Sequence, residues 1–293
     1  MSTAALVLAA GLGTRMKSSL PKVLHPVLGD PALLWVLRSL PPEVTRAVLV
    51  LHHGKEQVET ALDAWRKAGL LPCPVDTVDQ GEPLGTGHAA QAAAAALDAC
   101  GAARVVVLCG DVPLLTRETI ARLAAREAAL LAMELPDATG YGRVIQGTDG
   151  RLEALVEQKD ASEAQRAVRL ANGGAYALPW PALREALAGL RNDNAQREYY
   201  LTDAVVAVSR RVPVQIERCE AEELLGMNAR KDQAALERLA QARINGRWME
   251  EGVSFQDPAS ARIGPREVLA RDEEVSPGVC HEGSEEEGED VRI

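Results

Sequence analysis

Aromatic side chains are scarce: 3% of 293 residues, with a single Phe, so Leu, Val and Ala must fill a core drawn from the 47% hydrophobic share. Cysteine is equally thin. Cys73, Cys100, Cys109, Cys219 and Cys280 are odd in number and form no Cys-x-x-Cys pair. Disulfide frameworks and zinc knuckles need paired spacing, so reduced thiols and a cytoplasmic location are expected. No apolar run approaches the ~18 residues that cross a bilayer, and no basic segment precedes the apolar start, so neither membrane nor export signal enters the reading. Basic charge is in deficit, with 32 Lys and Arg against 42 Asp and Glu and a net of −10. Most of that deficit sits in residues 272–293, which carry nine acids and one Arg. Without a basic excess there is nothing to neutralise a phosphate backbone, so no nucleic-acid partner is expected.

What is present is alternation. Strand-like runs at Ala4–Ala9, Arg46–Leu51, Arg104–Leu108 and Ala129–Leu135 separate helical patterns at Pro31–Leu40, Lys55–Lys67, Gly85–Ala99 and Thr116–Ala128. Continuously apolar strands between helices predict a doubly wound, mostly parallel α/β sheet with ligands at the carboxyl ends of its strands. Tyr141–Gln146 and Arg151–Glu157, joined through Asp149-Gly150, read as an inserted β-hairpin. A strand at Val168–Leu178 carries Asn172-Gly173-Gly174, where backbone can approach a ligand. Helices at Tyr200–Ser209 and Lys231–Glu250 flank a strand at Val212–Ile216. The expected organisation is a catalytic unit over 1–228, a linker helix over 229–250, the start of a β-helix rung over 251–271 and a disordered acidic tail over 272–293.

The chemistry concentrates at Leu6-Val-Leu-Ala-Ala-Gly11-Leu-Gly13-Thr14-Arg15-Met16-Lys17, followed by Leu20-Pro21-Lys22. A glycine-rich turn after the first strand exposes backbone N–H groups to phosphate. Met16 stands where a dinucleotide fingerprint needs its third glycine, and also where a P-loop needs Gly before Lys-Ser, so both patterns fail. Arg15 and Lys22 then add a guanidinium fork and a compact ammonium close behind the glycines. Asp111 closes a buried strand at the end where such a sheet places ligands. Beside a triphosphate a carboxylate there reads as a Mg²⁺ ligand, with a helix cap as the plainer alternative. Asn228 before a helix reads on its own as a cap. Gln80 reads as a loop side chain in water, Thr86 as the cap of an Ala-rich helix, and Cys109 as core packing. His52 and His53 have no ligand cluster beside them, and no Ser/His/Asp or Cys/His nucleophile arrangement is present.

The layout resembles the L-x-A-G-x-G-T-R-M…P-K signature of the sugar-1-phosphate nucleotidylyltransferases, and more narrowly the bacterial N-acetylglucosamine-1-phosphate uridylyltransferases. The resemblance continues in order through Gln80, Leu84-Gly85-Thr86-Gly87-His88-Ala89, Gly110-Asp111-Val-Pro-Leu, Gly140-Tyr-Gly-Arg143, Val156-Glu157-Gln-Lys-Asp160, Asn194 to Asp203 and Gly226-Met-Asn228. It implies a Rossmann-like nucleotidyltransferase fold, of the kind called GT-A-like, with a sugar-binding lobe at the hairpin. It further implies Mg²⁺-dependent uridylyl transfer from UTP to N-acetyl-α-D-glucosamine 1-phosphate, making a cell-wall precursor and pyrophosphate. By the same resemblance Arg15 and Lys22 are catalytic. Leu8, Ala10, Gly11, Gly13, Gln80, Gly85 and Thr86 bind the nucleotide. Gly142, Glu157, Asn172, Tyr200 and Thr202 bind the sugar, and Asp111 and Asn228 bind the metal. Two positions depart from the family: Gly173 where Thr is common, and Cys109 where an aromatic is common. A phosphate oxygen nucleophile is already ionised at neutral pH (second pKa ~6), so no general base is required. Relatives carry a long left-handed β-helix that transfers acetyl groups and builds a trimer. At most its first rung is expected here, with no acetyl transfer, and with trimers only if a longer helix is present. A nucleotidylyltransferase with another base or sugar, or a catalytically silent sugar-nucleotide-binding subunit, remains an alternative.

Overall fold

A computed structural model describes residues 2–281. The first half alternates as the apolar runs predict: β1 (Thr3–Leu8), a short hairpin of β2 (Pro26–Val27) and β3 (Asp30–Pro31), α1 (Ala32–Arg38), β4 (Val44–Leu51), α2 (Lys55–Lys67) and β5 (Val75–Asp79). Next come α3 (Thr86–Ala92), α4 (Ala94–Ala99), β6 (Arg104–Cys109), α5 (Arg117–Ala124) and β7 (Ala129–Glu134). The inserted lobe holds β8 (Arg143–Gln146), β9 (Leu152–Val156), α6 (Glu163–Arg166) and β10 (Leu170–Pro179). The chain continues with α7 (Trp180–Ala188), α8 (Leu201–Ser209), β11 (Gln215–Arg218) and α9 (Arg230–Glu250). It ends in β12 (Ser254–Phe255), β13 (Arg262–Ile263), β14 (Glu274–Val275) and β15 (Cys280–His281).

The main sheet runs β11-β7-β10-β6-β1-β4-β5. β1 lies parallel to both β4 and β6, while β10 is antiparallel to β6 and β7. Side chains on a strand alternate between faces. Ala5 and Val7 therefore enter one apolar cluster and Ala4 and Leu6 the other; Leu49 and Leu51 part from Val48 and Val50 in the same way. Both faces are buried, which is why these strands read as unbroken apolar runs. Strand order reverses between β1 and β6, and at such a switch point the carboxyl ends of neighbouring strands open a crevice. Residues Ala9 to Gly13 leave β1 there, and Gly110-Asp111 leave β6.

A third apolar cluster lies outside the sheet. Leu236, Ala240, Ile244 and Trp248, spaced four apart on α9, pack with Val27, Leu28, Ile263 and Val275. Met16, only 1% exposed, is a member of the same cluster and ties the glycine loop to it. Among the described residues no helix is long and apolar enough to cross a membrane. The five cysteines are all free.

Several expectations need correction. The helix over Gly85–Ala99 is two helices meeting at Ala93, and the strand expected at Val212–Ile216 sits at Gln215–Arg218. β5 and α7 were not foreseen: Val-Asp-Thr-Val-Asp is too polar to stand out, and Pro181 inside Trp180–Ala188 looks like a breaker but is tolerated in the first turn. The acidic tail does not begin at 272. β14 pairs in parallel with β12 and β15 with β13, so the chain completes one turn and lays the start of a second on it. Val275 is buried in the third cluster and supplies the apolar contact that the acidic composition hid. The rest of that expectation, 282–293, lies outside the described residues.

Candidate active site

The crevice at the switch point is a cleft of about 490 Å³. Every residue expected to meet the nucleotide lines it: Leu8, Ala10, Gly11, Gly13, Gln80, Gly85 and Thr86, together with Arg15, Lys22, Asp111 and Asn228. Gly13 takes a left-handed conformation (φ 60°), and a Cβ there would come within 2.8 Å of Lys22 Cβ, so glycine is what lets Lys22 lie against the loop. Arg15, on the short 3₁₀ turn Thr14–Met16, is held outward because its neighbour Met16 is buried.

The four polar ends meet in two pairs. Lys22 Nζ donates to Asp111 Oδ2 in a partly buried ion pair, and Arg15 Nη2 donates to Asn228 Oδ1 at 2.8 Å. Asp111 is not a helix cap: Thr116 caps α5, its hydroxyl accepting from Thr119 N. Nor is Asn228. Asp232 Oδ2 accepts from the backbone N–H groups of Asn228 and Ala229, which frees the Asn228 amide for the cleft. Gly226 closes the gap between them; a Cβ there would sit 3.8 Å from Asp111 Oδ2 and 3.6 Å from Asn228 Nδ2.

Gln80 and Thr86 depart from their sequence readings. Gln80 is only 7% exposed, and its Nε2 donates to Gly85 O at 3.0 Å. Gly85, not Thr86, occupies the cap position of α3, and Thr86 Oγ1 instead accepts from Leu201 N at 3.2 Å. With Gly87 N donating to Tyr199 O and Tyr199 N to Leu84 O, the segments 84–87 and 199–201 are stitched together. Gly85 has φ 110°, and a Cβ on it would lie 2.6 Å from Tyr199 O. Cys109 packs beneath Gly174 yet also lines the cleft, and burial, with Asp111 adding, pushes its thiol up to about 12.

The residues expected on the sugar side form a second group, outside the lining of that cleft. Glu157 Oε1 accepts from Thr202 Oγ1 at 3.0 Å, and a Cβ on Gly142 would meet Asn172 Cβ at 3.5 Å and Glu157 Oε2 at 3.7 Å. Asn172 Nδ2 donates to the Tyr176 hydroxyl at 2.7 Å, and Asn172 Oδ1 accepts from Gly174 N. Burial pushes the Glu157 carboxyl above the usual range against the pull of its Thr202 hydrogen bond. Tyr200 reaches this group through Asp160, whose Oδ2 accepts from its hydroxyl at 3.2 Å; burial pushes that phenol up to about 12. Gly173 has no room for a side chain, since a Cβ would come within 2.4 Å of Leu224 Cδ1.

Residues 5–239 match the family model described as the MobA-like NTP transferase domain. The chain belongs to that family. Proteins named Bifunctional protein GlmU are similar to it: 42% identical over 288 residues in an Exiguobacterium species, covering 95% of this chain and 61% of that protein. In Paracidovorax citrulli the identity is 45% over 308 residues (98% and 63%), and in Alkaliphilus metalliredigens 40% over 304 residues (100% and 64%). This chain thus spans a little over three fifths of those relatives. Among solved structures, a UDP-glucose pyrophosphorylase complexed with UDP-glucose superposes with TM-score 0.66 at 17% identity, covering 83% of this chain and all of that one. A UDP-glucose pyrophosphorylase from Acinetobacter baumanii gives 0.60 at 21%, covering 86% and 97%. Both share the Rossmann-like nucleotidyltransferase fold.

In this member of the family the sequence gives no role to Glu198, which lines the cleft, or to Asp160, which joins Tyr200 to Ala195 N. The signal for Glu198 is Asn194, four residues earlier: its Oδ1 accepts from Gln196 N and Glu198 N, and its Nδ2 donates to Glu198 O, a side-chain-made turn that fixes the loop.

Proposed function

We propose that this transferase moves a uridylyl group from UTP to N-acetyl-α-D-glucosamine 1-phosphate, giving UDP-N-acetylglucosamine, a cell-wall precursor, and pyrophosphate. A sugar-phosphate oxygen attacks the α-phosphorus. The bond from that phosphorus to the bridging oxygen breaks, and its electron pair leaves with pyrophosphate. The observation that carries this reading is one cleft in which two cations, Arg15 and Lys22, meet two oxygen donors, Asp111 and Asn228, beside the backbone of Gly11 and Gly13.

Asp111 and Asn228 would hold Mg²⁺. Their oxygens already hold cationic groups of this chain, and two protein ligands suit an ion that keeps waters and phosphate oxygens for its other positions. Among the described residues no group of three or more His, Cys, Asp or Glu gathers into a dedicated metal cage, which such a site does not need. When bound, Mg²⁺ supplies charge neutralisation on the triphosphate. Lys22 then steadies charge around the α-phosphate, and Arg15 receives the departing pyrophosphate. Gln80, with its Nε2 committed to Gly85, offers Oε1 to the N–H of uracil. Glu157 accepts from sugar hydroxyls, and Gly142 and Asn172 supply backbone and amide groups to the acetamido arm. Tyr200 and Thr202 fix that wall. Catalysis is positioning plus preorganised charge.

The test is pyrophosphate release with UTP and N-acetylglucosamine 1-phosphate, against GTP, CTP and glucose 1-phosphate. Turnover confined to the first pair is expected. Equal turnover with glucose 1-phosphate overturns the sugar assignment, and substrate binding without turnover in Mg²⁺ overturns catalysis in favour of a silent binding subunit.

A further inference from the structure

A second cavity, of about 310 Å³, lies where α1, the loop following Asp111 and α9 meet. Its lining includes Trp35, Arg38, Arg117, Glu118, Arg243 and Arg247. We propose that it binds a diphosphate group, at a site separate from the catalytic cleft. Four guanidinium groups against one carboxylate give the lining a formal charge of +3 in a chain whose net charge is −10.

Two of the arginines are anchored without being neutralised. Arg243 Nη1 donates to Leu114 O at 2.7 Å and Arg117 Nη2 to Arg38 O at 2.8 Å, and among the described residues neither has a carboxylate within 4.0 Å. The other two are paired: Arg38 with Asp30 at 3.1 Å, and Arg247 with Glu251 at 3.8 Å, where its guanidinium also lies over the Trp248 ring. Anchoring by a carbonyl uses one N–H of five and leaves the fork oriented, so little freedom is lost when an anion arrives.

The arrangement selects the ligand class. Arg243 and Arg247 stand one turn apart on a single face of α9, as side chains four residues apart do. Arg38 and Arg117 come from the catalytic unit. Two pairs of planar forks on two walls match two linked phosphoryl groups better than one, since each fork recognises phosphate oxygens in pairs. A cavity near 300 Å³ is at the small end of ligand pockets, which suits a diphosphate without a large appendage. The floor, Pro113 to Thr116, continues directly from Asp111, so an occupant would bear on the segment that carries the proposed metal ligand.

The test titrates the full-length chain with inorganic pyrophosphate in the absence of Mg²⁺, following heat and tryptophan fluorescence. Lys22→Ala serves as background because it weakens phosphate binding in the catalytic cleft. Saturable binding should persist in that background. It should weaken at least tenfold in Arg243→Ala/Arg247→Ala, and keep its heat while losing part of its fluorescence signal in Trp35→Phe, Trp248 beneath Arg247 supplying the remainder. Arg243 also anchors Leu114, so Arg247→Gln, which disturbs no backbone bond, provides a second variant with a severalfold loss expected. A UDP arm separates the two sources of the group: binding as tight as pyrophosphate assigns a nucleotide diphosphate, and binding of pyrophosphate alone assigns the free ion. Disappearance of binding in Lys22→Ala, indifference to both arginine variants, or an equal response to orthophosphate at matched ionic strength overturns the proposal.

Discussion

The proposed nucleotide side and the proposed sugar side of this chain hold their polar groups by opposite means. At the nucleotide end opposite charges and dipoles cap one another: Lys22 lies on Asp111 and Arg15 on Asn228, at the mouth of an open cleft. At the expected sugar end a carboxylate, Glu157, is half-buried with a neutral partner, Thr202, and among the described residues no ion pair forms on it. In the proposed reaction a metal on Asp111 and Asn228, and a triphosphate on Lys22 and Arg15, would replace these pairings. The second keeps a hydrogen-bond acceptor partly desolvated and carries an electrostatic penalty for doing so. On the proposed reading, one half serves charge and the other hydroxyl recognition.

The largest effect should follow from breaking the charged pair. Lys22→Ala and Asp111→Asn are each expected to slow pyrophosphate formation by about 10²–10³, or about 3–4 kcal/mol of transition-state stabilisation. Because the two groups touch, the double variant should lose less than the sum of the singles. Strict additivity, measured in kcat/KM, would mean that the pair does not act as a unit.

Much of the nucleotide side is legible in sequence because its signals are local. Gly11, Gly13, Arg15 and Lys22 fall within twelve residues, and the physical requirement for each is met by its neighbours. Asp111 is legible from the apolar strand before it. What could not be read is the exchange of partners over distance. Thr86 looks like a cap until Leu201, 115 residues away, takes its hydroxyl, and Asn228 looks like a cap until Asp232 takes that duty. Gln80 is a different case: its partner, Gly85 O, is only five residues on, but the bond depends on how the loop between them folds back, which composition does not show. β14 was hidden for a related reason: a lone Val275 among acids carries no periodicity, and its partner cluster is assembled by α9.

The wall shared by the two sides gives the next prediction. Gly85→Ala places a Cβ at φ 110° against Tyr199 O, and both the backbone conformation and the contact are unfavourable. A loss of roughly 2–3 kcal/mol in denaturant unfolding is expected, with a raised KM for both substrates because the wall serves both. A change confined to one substrate would show that the two sides are mechanically independent.

Gly173 probes the sugar side alone. Gly173→Thr drives a side chain into Leu224, and should destabilise the chain by about 1–3 kcal/mol. Leu224→Ala alone should cost about 2–5 kcal/mol by leaving a cavity. The two together should be milder than their sum, since the shortened residue makes room for the new side chain and is partly filled by it, while Leu131 O at 2.9 Å still opposes it. If the combined loss equals the sum, Leu224 is not what fills the space beside Gly173.

The smallest effect tests the half-buried carboxylate itself. Burial raises the Glu157 pKa in the folded chain above its unfolded value of ~4.3, so the folded state holds that proton to a higher pH than the unfolded state does. The unfolded state then binds fewer protons through that window, and stability falls as pH rises from the unfolded value through the folded one. Glu157→Gln carries no charge to desolvate. At pH 7 it should melt slightly above the parent, and the gap should close as pH drops through the same window. Its KM for the sugar phosphate should rise while that for UTP stays put, because the carboxylate serves only one side. Should the parent instead lose ground to the Gln variant on acidification, the carboxylate is stabilised in its ionised form, and the contrast between a charged and a partly desolvated half fails at the residue that defines it.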